Sequence, residues 1–220
     1  MFQSSSFWAL AEPPGHNNKE HIGMLTLFSQ SRRGPITLRM FLIAAIISIT
    51  PGTFAQDFDW APDYPVGSTI PLLEAQDQNG ELQTLKTLSG KNGILLMFNR
   101  SFDWCPYCKA QLEGLEEAKD SFSTLGLNIV TITYDPIETL KLVEEDMEVS
   151  FTLLHDKNIK HVNAYNILNT DYEPGHFAYG VPQPGIMFVN PDGKILAKFA
   201  EENFRQRPDW SDVAEALIIP

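Results

Sequence analysis

The sequence predicts an α/β domain: a central mixed sheet with helices on both faces and an N-terminal β-hairpin. Three observations carry this expectation. Strand-like and helix-like segments alternate through residues 56–220, the order that builds a layered sheet. Ile94-Leu95-Leu96-Met97-Phe98 is an unbroken apolar run of strand length, as a central strand buried on both faces requires. Gln78-Asn79-Gly80 separates two strand-like segments, and Asn-Gly is the strongest short hairpin signal.

Taken in order, 56–68 is Pro-rich and reads as an irregular lead-in, followed by paired strands at 70–75 and 81–85. The central strand covers 93–99. Pro106 suits a first helical turn, where its missing N–H costs nothing, and the helix runs to about Phe122 with Cys108, Leu112, Leu115, Ala118 and Phe122 on one face. A strand follows at 128–134. Asp135-Pro136-Ile137-Glu138 then reads as N-cap, N1 proline and an acid in the first turn, opening a helix to about Met147. A short strand at 151–155 and a short helix at 158–165 precede the segment 168–185. That segment is rich in turn residues and long for a structureless loop, which points to function. Strands at 186–190 and 194–199 form a second hairpin around Pro191-Asp192-Gly193, and a last helix, capped by Asp209 or Ser211, runs to about Ile218.

The chain has two cysteines, both in Trp104-Cys105-Pro106-Tyr107-Cys108 at the junction of the central strand and the following helix. A loop this short offers little chain-entropy stabilisation, so reactivity is the feature to explain. A helix N-terminus beside Cys105 lowers a thiol pKa through the macrodipole and free N–H groups. The expected arrangement is therefore an exposed, nucleophilic Cys105 with Cys108 on the buried helix face.

The first quarter of the chain reads as targeting sequence. Arg32, Arg33 and Arg39 form a basic region, Met40 to Ile49 an apolar one of ten residues, and Thr53-Phe54-Ala55 supplies small residues at a cleavage site. That is the plan of a secretory signal peptide, and it is well short of the roughly 20 apolar residues that span a bilayer. Residues 1–55 thus read as an N-terminal extension and signal peptide, with Met24 and Met40 as alternative starts, and 56–220 as the redox domain. The membrane enters only through an uncleaved signal anchor. Without residues 1–55 the 16 basic and 28 acidic residues become 12 and 26. This acidic balance argues against nucleic acid and anionic membrane surfaces as partners. Export places the dithiol where disulfides persist.

Strand, WCPYC, helix, strand, helix, and then Gly180-Val181-Pro182-Gln183-Pro184 before a strand together resemble the thioredoxin superfamily. The N-terminal hairpin and the long middle insertion resemble its redoxin and peroxiredoxin-like (alkyl hydroperoxide reductase/thiol-specific antioxidant) branch, over roughly 66–218. The Cys-Pro-Tyr-Cys choice is typical of glutaredoxins. The resemblance implies a three-layer thioredoxin-like fold. It further implies a cis-proline at Pro184, with Pro182 the weaker candidate, and Gln183 presenting its backbone to an extended substrate beside the sulfurs. Trp104 would offer the partner a flat surface, and Pro106 and Tyr107 would tune the potential. No cofactor or metal is implied: His155, His161 and His176 read as strand-end, helix-surface or loop residues, and copper carriers of this fold more typically show CxxxC.

Departures from the branch bear on activity. Peroxiredoxins place Thr or Ser three residues before the reactive cysteine and an arginine near the later strand; here those positions hold Phe102 and Pro184. Thioredoxins carry a buried acid six residues before the first cysteine, and here that residue is Asn99. The expectation is an exported thiol-disulfide oxidoreductase acting on protein or small-molecule disulfides, with a separate thiol protein as electron donor or acceptor. Thiol-dependent peroxidase is the alternative.

Overall fold

The computed structural model describes residues 58–218. The expected signal peptide lies outside them. The elements are β1 (Glu74–Asp77), β2 (Leu82–Thr84), α1 (Leu85–Leu88), β3 (Gly93–Phe98), α2 (Pro106–Thr124), β4 (Leu127–Thr133), α3 (Ile137–Asp146), β5 (Thr152–His155), α4 (Lys160–Ala164), β6 (Gly185–Val189), β7 (Ile195–Phe199) and α5 (Trp210–Ile218). One seven-stranded sheet has the order β2-β1-β5-β4-β3-β6-β7. Strands β3, β4 and β5 run parallel, and the outer pairs are antiparallel. The sheet is mixed and the fold is thioredoxin-like.

The alternation of β3 divides the core into two layers, because successive side chains point to opposite faces. Ile94, Leu96 and Phe98 join Trp60, Val162 and Tyr165 on one face. Leu95 and Met97 join Cys105, Cys108, Leu112, Leu115, Phe122 and Val213 on the other. All six residues of β3 are buried, which explains why its sequence shows no polar alternation. Helix α2 buries Cys108, Leu112, Leu115 and Phe122, and Gln111 with them.

Several local expectations change. The first strand of the hairpin is Glu74–Asp77 rather than 70–75, because β1 pairs with β5 at Gln76 and Asp77. Thr84 caps the short helix α1 with a reciprocal bond to Thr87, a helix the strand reading passes over. The expected helix at 158–165 is split: Lys157–Ile159 is a 3-10 turn, and Asn158 and Ile159 have φ of 58° and 50°. Pro136, not Asp135, is the N-cap of α3, without a side-chain bond. The carboxylate of Asp135 is engaged elsewhere.

Candidate active site

Cys105 is the N-cap residue of α2, with extended backbone at φ −92° and ψ 106°. Its carbonyl accepts the N–H groups of Cys108 and Lys109, each at 3.1 Å, so the helix begins on the cysteine itself. The loop before it is fixed by Asp135. Ser101 Oγ donates to Asp135 Oδ1 at 2.7 Å, and the Phe102 N–H and Thr133 hydroxyl donate to Oδ2 at 2.6 and 2.9 Å. Ser101 Oγ in turn accepts the Asp103 N–H at 3.0 Å. The end of β4 thereby holds the turn that leads into the CxxC. Burial raises the Asp135 pKa above the ordinary carboxylate range, opposed by these donors.

Both cysteines are free thiols, with sulfurs 2.7 Å apart and sharing a hydrogen bond. Cys108 is fully enclosed, and Cys105 is only 1% exposed. The expectation of an exposed Cys105 is therefore corrected: Phe102 and the helix core enclose both sulfurs in one apolar cluster. The electrostatics also differ from expectation. Cys108 is lowered to about 6 by the hydrogen bond it shares with Cys105, against burial, with backbone hydrogen bonds from Ser101 and Arg100 and the charge of Arg207 assisting. Cys105 is raised by the same hydrogen bond and by burial. The two sulfurs share one proton, which favours a thiolate on the inner sulfur.

Two arginines that sequence reasoning missed flank the pair. Arg100 is 4% exposed; it donates from Nη2 to Tyr172 Oη at 2.8 Å, and its Nε has no partner among the described residues. Its guanidinium lies 4.1 Å from the ring centre of Phe204 and over five ångströms from those of Trp104 and Tyr172. Its charge favours the Cys105 thiolate. Arg207, from the segment between β7 and α5, places Nη2 3.8 Å from Cys108 Sγ. No local motif marks either one: Arg100 lies five residues before Cys105 but is held by Tyr172, 72 residues on, and Arg207 reaches Cys108 across 99 residues. Asn99 is wholly buried, and neither side-chain polar atom has a partner among the described residues.

The long segment 168–185 borders this site. It is pinched at its base, where Asn169 N–H donates to Val181 O at 2.9 Å and Gln183 N–H to Ile167 O at 2.7 Å. Tyr172 stacks on His176, and Phe177 meets Trp104 edge-on at 5.1 Å. Trp104 Nε1 donates to Tyr134 Oη at 3.0 Å. Tyr107 is half exposed and meets Phe204 edge-on, while Pro106 is exposed at the helix start. Phe177 is 73% exposed, giving the site an aromatic rim.

The proline expectation is corrected. The described residues contain no cis peptide bond, so the bonds before Pro182 and Pro184 are trans. Gln183 does not present free backbone to a substrate: its N–H is bonded to Ile167, and its carbonyl accepts Trp60 Nε1 at 2.8 Å. Those internal bonds carry the chain straight into β6. Pro184 itself is buried, one residue before the Gly185–Phe98 pairing of β6 with β3.

The sequence profile of the AhpC/TSA family matches residues 66–198. Among curated proteins, the chain is 25% identical over 158 residues to peroxiredoxin 2 of Sulfuracidifex metallicus, covering 68% of this chain and 71% of that protein. It is 24% identical over 162 residues to the thiol-disulfide oxidoreductase ResA of Oceanobacillus iheyensis, covering 72% and 76%. The 1-Cys peroxiredoxin PER1 of Triticum aestivum is 21% identical over 145 residues, and the match spans 63% of this chain and 65% of that protein. Solved structures with the same fold include peroxidoxin BcpB of Mycobacterium tuberculosis, with TM-score 0.59, 20% identity and coverage of 70% of this chain and 96% of that one. A cysteine-to-serine mutant of peroxiredoxin 6 from Arenicola marina gives TM-score 0.62, 14% identity and coverage of 70% and 72%.

Proposed function

The chain belongs to the AhpC/TSA family of thioredoxin-like oxidoreductases, and from that premise we propose that it is an exported thiol-disulfide oxidoreductase working through Cys105 and Cys108. The observation that carries the reading is the dithiol itself: two free sulfurs 2.7 Å apart at the start of α2. A resolving thiol so placed intercepts any adduct on Cys105 within the molecule. Export rests on the pattern at 31–55 of the sequence.

Cys105 attacks a substrate disulfide as its proton passes along the S–H···S contact to Cys108, whose lowered pKa marks it as the acceptor nearest at hand. The substrate S–S bond breaks, a Cys105 mixed disulfide forms, and one substrate thiolate leaves. Cys108 passes that proton to the departing substrate thiolate and, again a thiolate, attacks Cys105 Sγ; the second substrate sulfur leaves with its electron pair, and the Cys105–Cys108 disulfide remains. A separate dithiol protein restores the reduced pair. With Cys105 1% exposed, the surrounding side chains must shift for substrate to reach it, and the aromatic rim of Trp104, Tyr107 and Phe177 is the face a substrate protein meets.

One observation favours a second reading, thiol-dependent peroxidase. Arg100 supplies a buried cation beside Cys105, a group the motif positions lack. Insulin-type disulfide reduction separates the readings from stopped-flow oxidation by hydrogen peroxide. Exchange predicts steady disulfide reduction that Cys105→Ser abolishes, mixed disulfides trapped in Cys108→Ser, and peroxide oxidation no faster than that of a free low-pKa thiol. Turnover surviving in Cys105→Ser would sink the assignment, and peroxide oxidation faster by orders of magnitude would hand it to the second reading.

A further inference from the structure

The resolving step requires Cys108, wholly enclosed under α2, to attack as a thiolate. Burial opposes that charge. In the resting dithiol the Cys105 S–H helps to hold it, but once Cys105 is in a mixed disulfide it has no proton to donate. The charge must then be held by something else.

Among the described residues no carboxylate is positioned to take the Cys108 proton as a general base. Asn99 is an amide, Asp103 is exposed, and both oxygens of Asp135 are occupied by Ser101, Phe102 and Thr133. The core residues around Cys108 from β3, β4, β6 and α5 are Leu95, Met97, Leu127, Ile129, Ile186 and Val213, and they bring no charge. The groups that favour its charge are Cys105 from α2, the backbone of Arg100 and Ser101, and the guanidinium of Arg207; the charge of Arg100 acts on Cys105.

Among the described residues, Arg207 is the one cationic side chain in contact with the sulfur. Its Nη2 is 3.8 Å from Cys108 Sγ. The remaining donors are fixed: Nε donates to Gln111 Oε1 at 2.8 Å, and Nη1 donates to the carbonyls of Phe204 and Gln206. All of these acceptors are neutral, and no ion pair among the described residues involves Arg207. Its charge is therefore left for the sulfur. Gln111 lies three residues after Cys108 on the same buried helix face, which aims the guanidinium at the thiol one turn away.

We propose that Arg207 is a catalytic residue of the resolving step: it holds Cys108 as a thiolate while Cys105 is in the mixed disulfide, so that resolution needs no general base. Gln111 is the positioning residue. The step balances without a further reactant: Cys108 S⁻ forms the bond to Cys105, the Cys105–substrate bond breaks, and the leaving thiolate takes up its proton from solvent.

The inference rests on the disulfide-exchange reading, and the test separates the two. The reduced protein is mixed with dithiobis(nitrobenzoate) in a stopped-flow instrument. Attack by Cys105 releases the first thionitrobenzoate and resolution by Cys108 releases the second, and the second phase is followed across pH. In the wild type this phase is expected to be level from about neutral pH upward. In Arg207→Met it is expected to slow by roughly tenfold or more near neutrality, to rise about tenfold per pH unit, and to approach the wild-type rate near the ordinary cysteine pKa of about 8.5. Arg207→Lys should restore most of the neutral rate, and Gln111→Leu should fall between. Slowing by one factor at every pH would show a merely structural role and overturn the inference, as would an unchanged profile. Should Arg207→Met not fold, the Lys and Gln111 variants carry the same pH criterion. A wild type that releases the first thionitrobenzoate but never the second would overturn the exchange mechanism as well.

Discussion

Replacing Asp135 tests how the site is held. Its carboxylate accepts from Ser101 Oγ, Phe102 N–H and Thr133 Oγ1 at 2.6 to 2.9 Å, and all four residues are at least 98% buried. A hydrogen bond to an ionised acceptor contributes about 1.5–3 kcal/mol, so the gross loss in Asp135→Ala is about 4.5–9 kcal/mol. Two terms reduce it. The raised pKa shows that burial of the charge costs more than the donors return, and the two hydroxyls can turn to other acceptors while the Phe102 N–H cannot. The expected net cost is about 3–5 kcal/mol for Asp135→Ala, in the range for a broken buried charge network, and about 1–2 kcal/mol for Asp135→Asn, which keeps one acceptor oxygen. Urea unfolding at neutral pH with unchanged m-value measures both. The sign of the pH effect follows from the direction of the shift. A carboxyl with a folded pKa above its unfolded value binds protons more tightly when folded, so stability falls as pH rises from the unfolded value of about 3.9 through the folded one. Asp135→Asn should flatten that slope. A cost below about 1 kcal/mol for Asp135→Ala, or a variant ranking with Asn worse than Ala, would refute the account of the loop.

Other substitutions probe the remaining features. A Cβ on Gly185 would lie 2.3 to 2.6 Å from three indole atoms of Trp60; Gly185→Ala should cost about 2–4 kcal/mol by overpacking and loss of the Trp60–Gln183 bond, read by denaturant melts. The reduced protein should gain one thiolate with a midpoint of about 6, seen by ultraviolet thiolate absorbance; no absorbance change below the ordinary cysteine range would contradict the shared-proton pair. Arg100→Met should slow the first reaction of Cys105 with dithiobis(nitrobenzoate) near neutral pH by roughly threefold to tenfold, since a unit of thiol pKa is a tenfold change in thiolate; an unchanged rate would remove Arg100 from the site.

The parts legible in the sequence are those written in local pattern. The buried run of β3, the Asn-Gly turn, the face of α2 and the CxxC at its start all follow from period and turn chemistry within a few residues. The parts that sequence reading misses are set by distant pairings. Asp135 reads as a helix cap because its local context is that of one, but its carboxylate reaches Ser101 and Phe102, more than thirty residues earlier. Arg207 lies 99 residues from Cys108 and Trp60 lies 123 from Gln183, so no window of sequence joins either pair. The depth of Cys105 is hidden for a related reason: helix-start position sets where the backbone goes, while the bulk that Phe102 and its neighbours pack around it sets exposure. The bonds that occupy the Gln183 backbone, to Ile167 and Trp60, are likewise ones that only the folded chain makes.

Because both sulfurs lie inside the same apolar cluster as Leu112, Phe122 and Val213, oxidation state and folding are two sides of one thermodynamic cycle. The difference in unfolding free energy between the disulfide and dithiol forms must equal the difference in reduction free energy between the folded and unfolded chains. Each 30 mV of potential corresponds to about 1.4 kcal/mol for a two-electron couple. Denaturation curves of the two redox forms would thus give the potential of this dithiol relative to that of its unfolded chain, with no partner protein required.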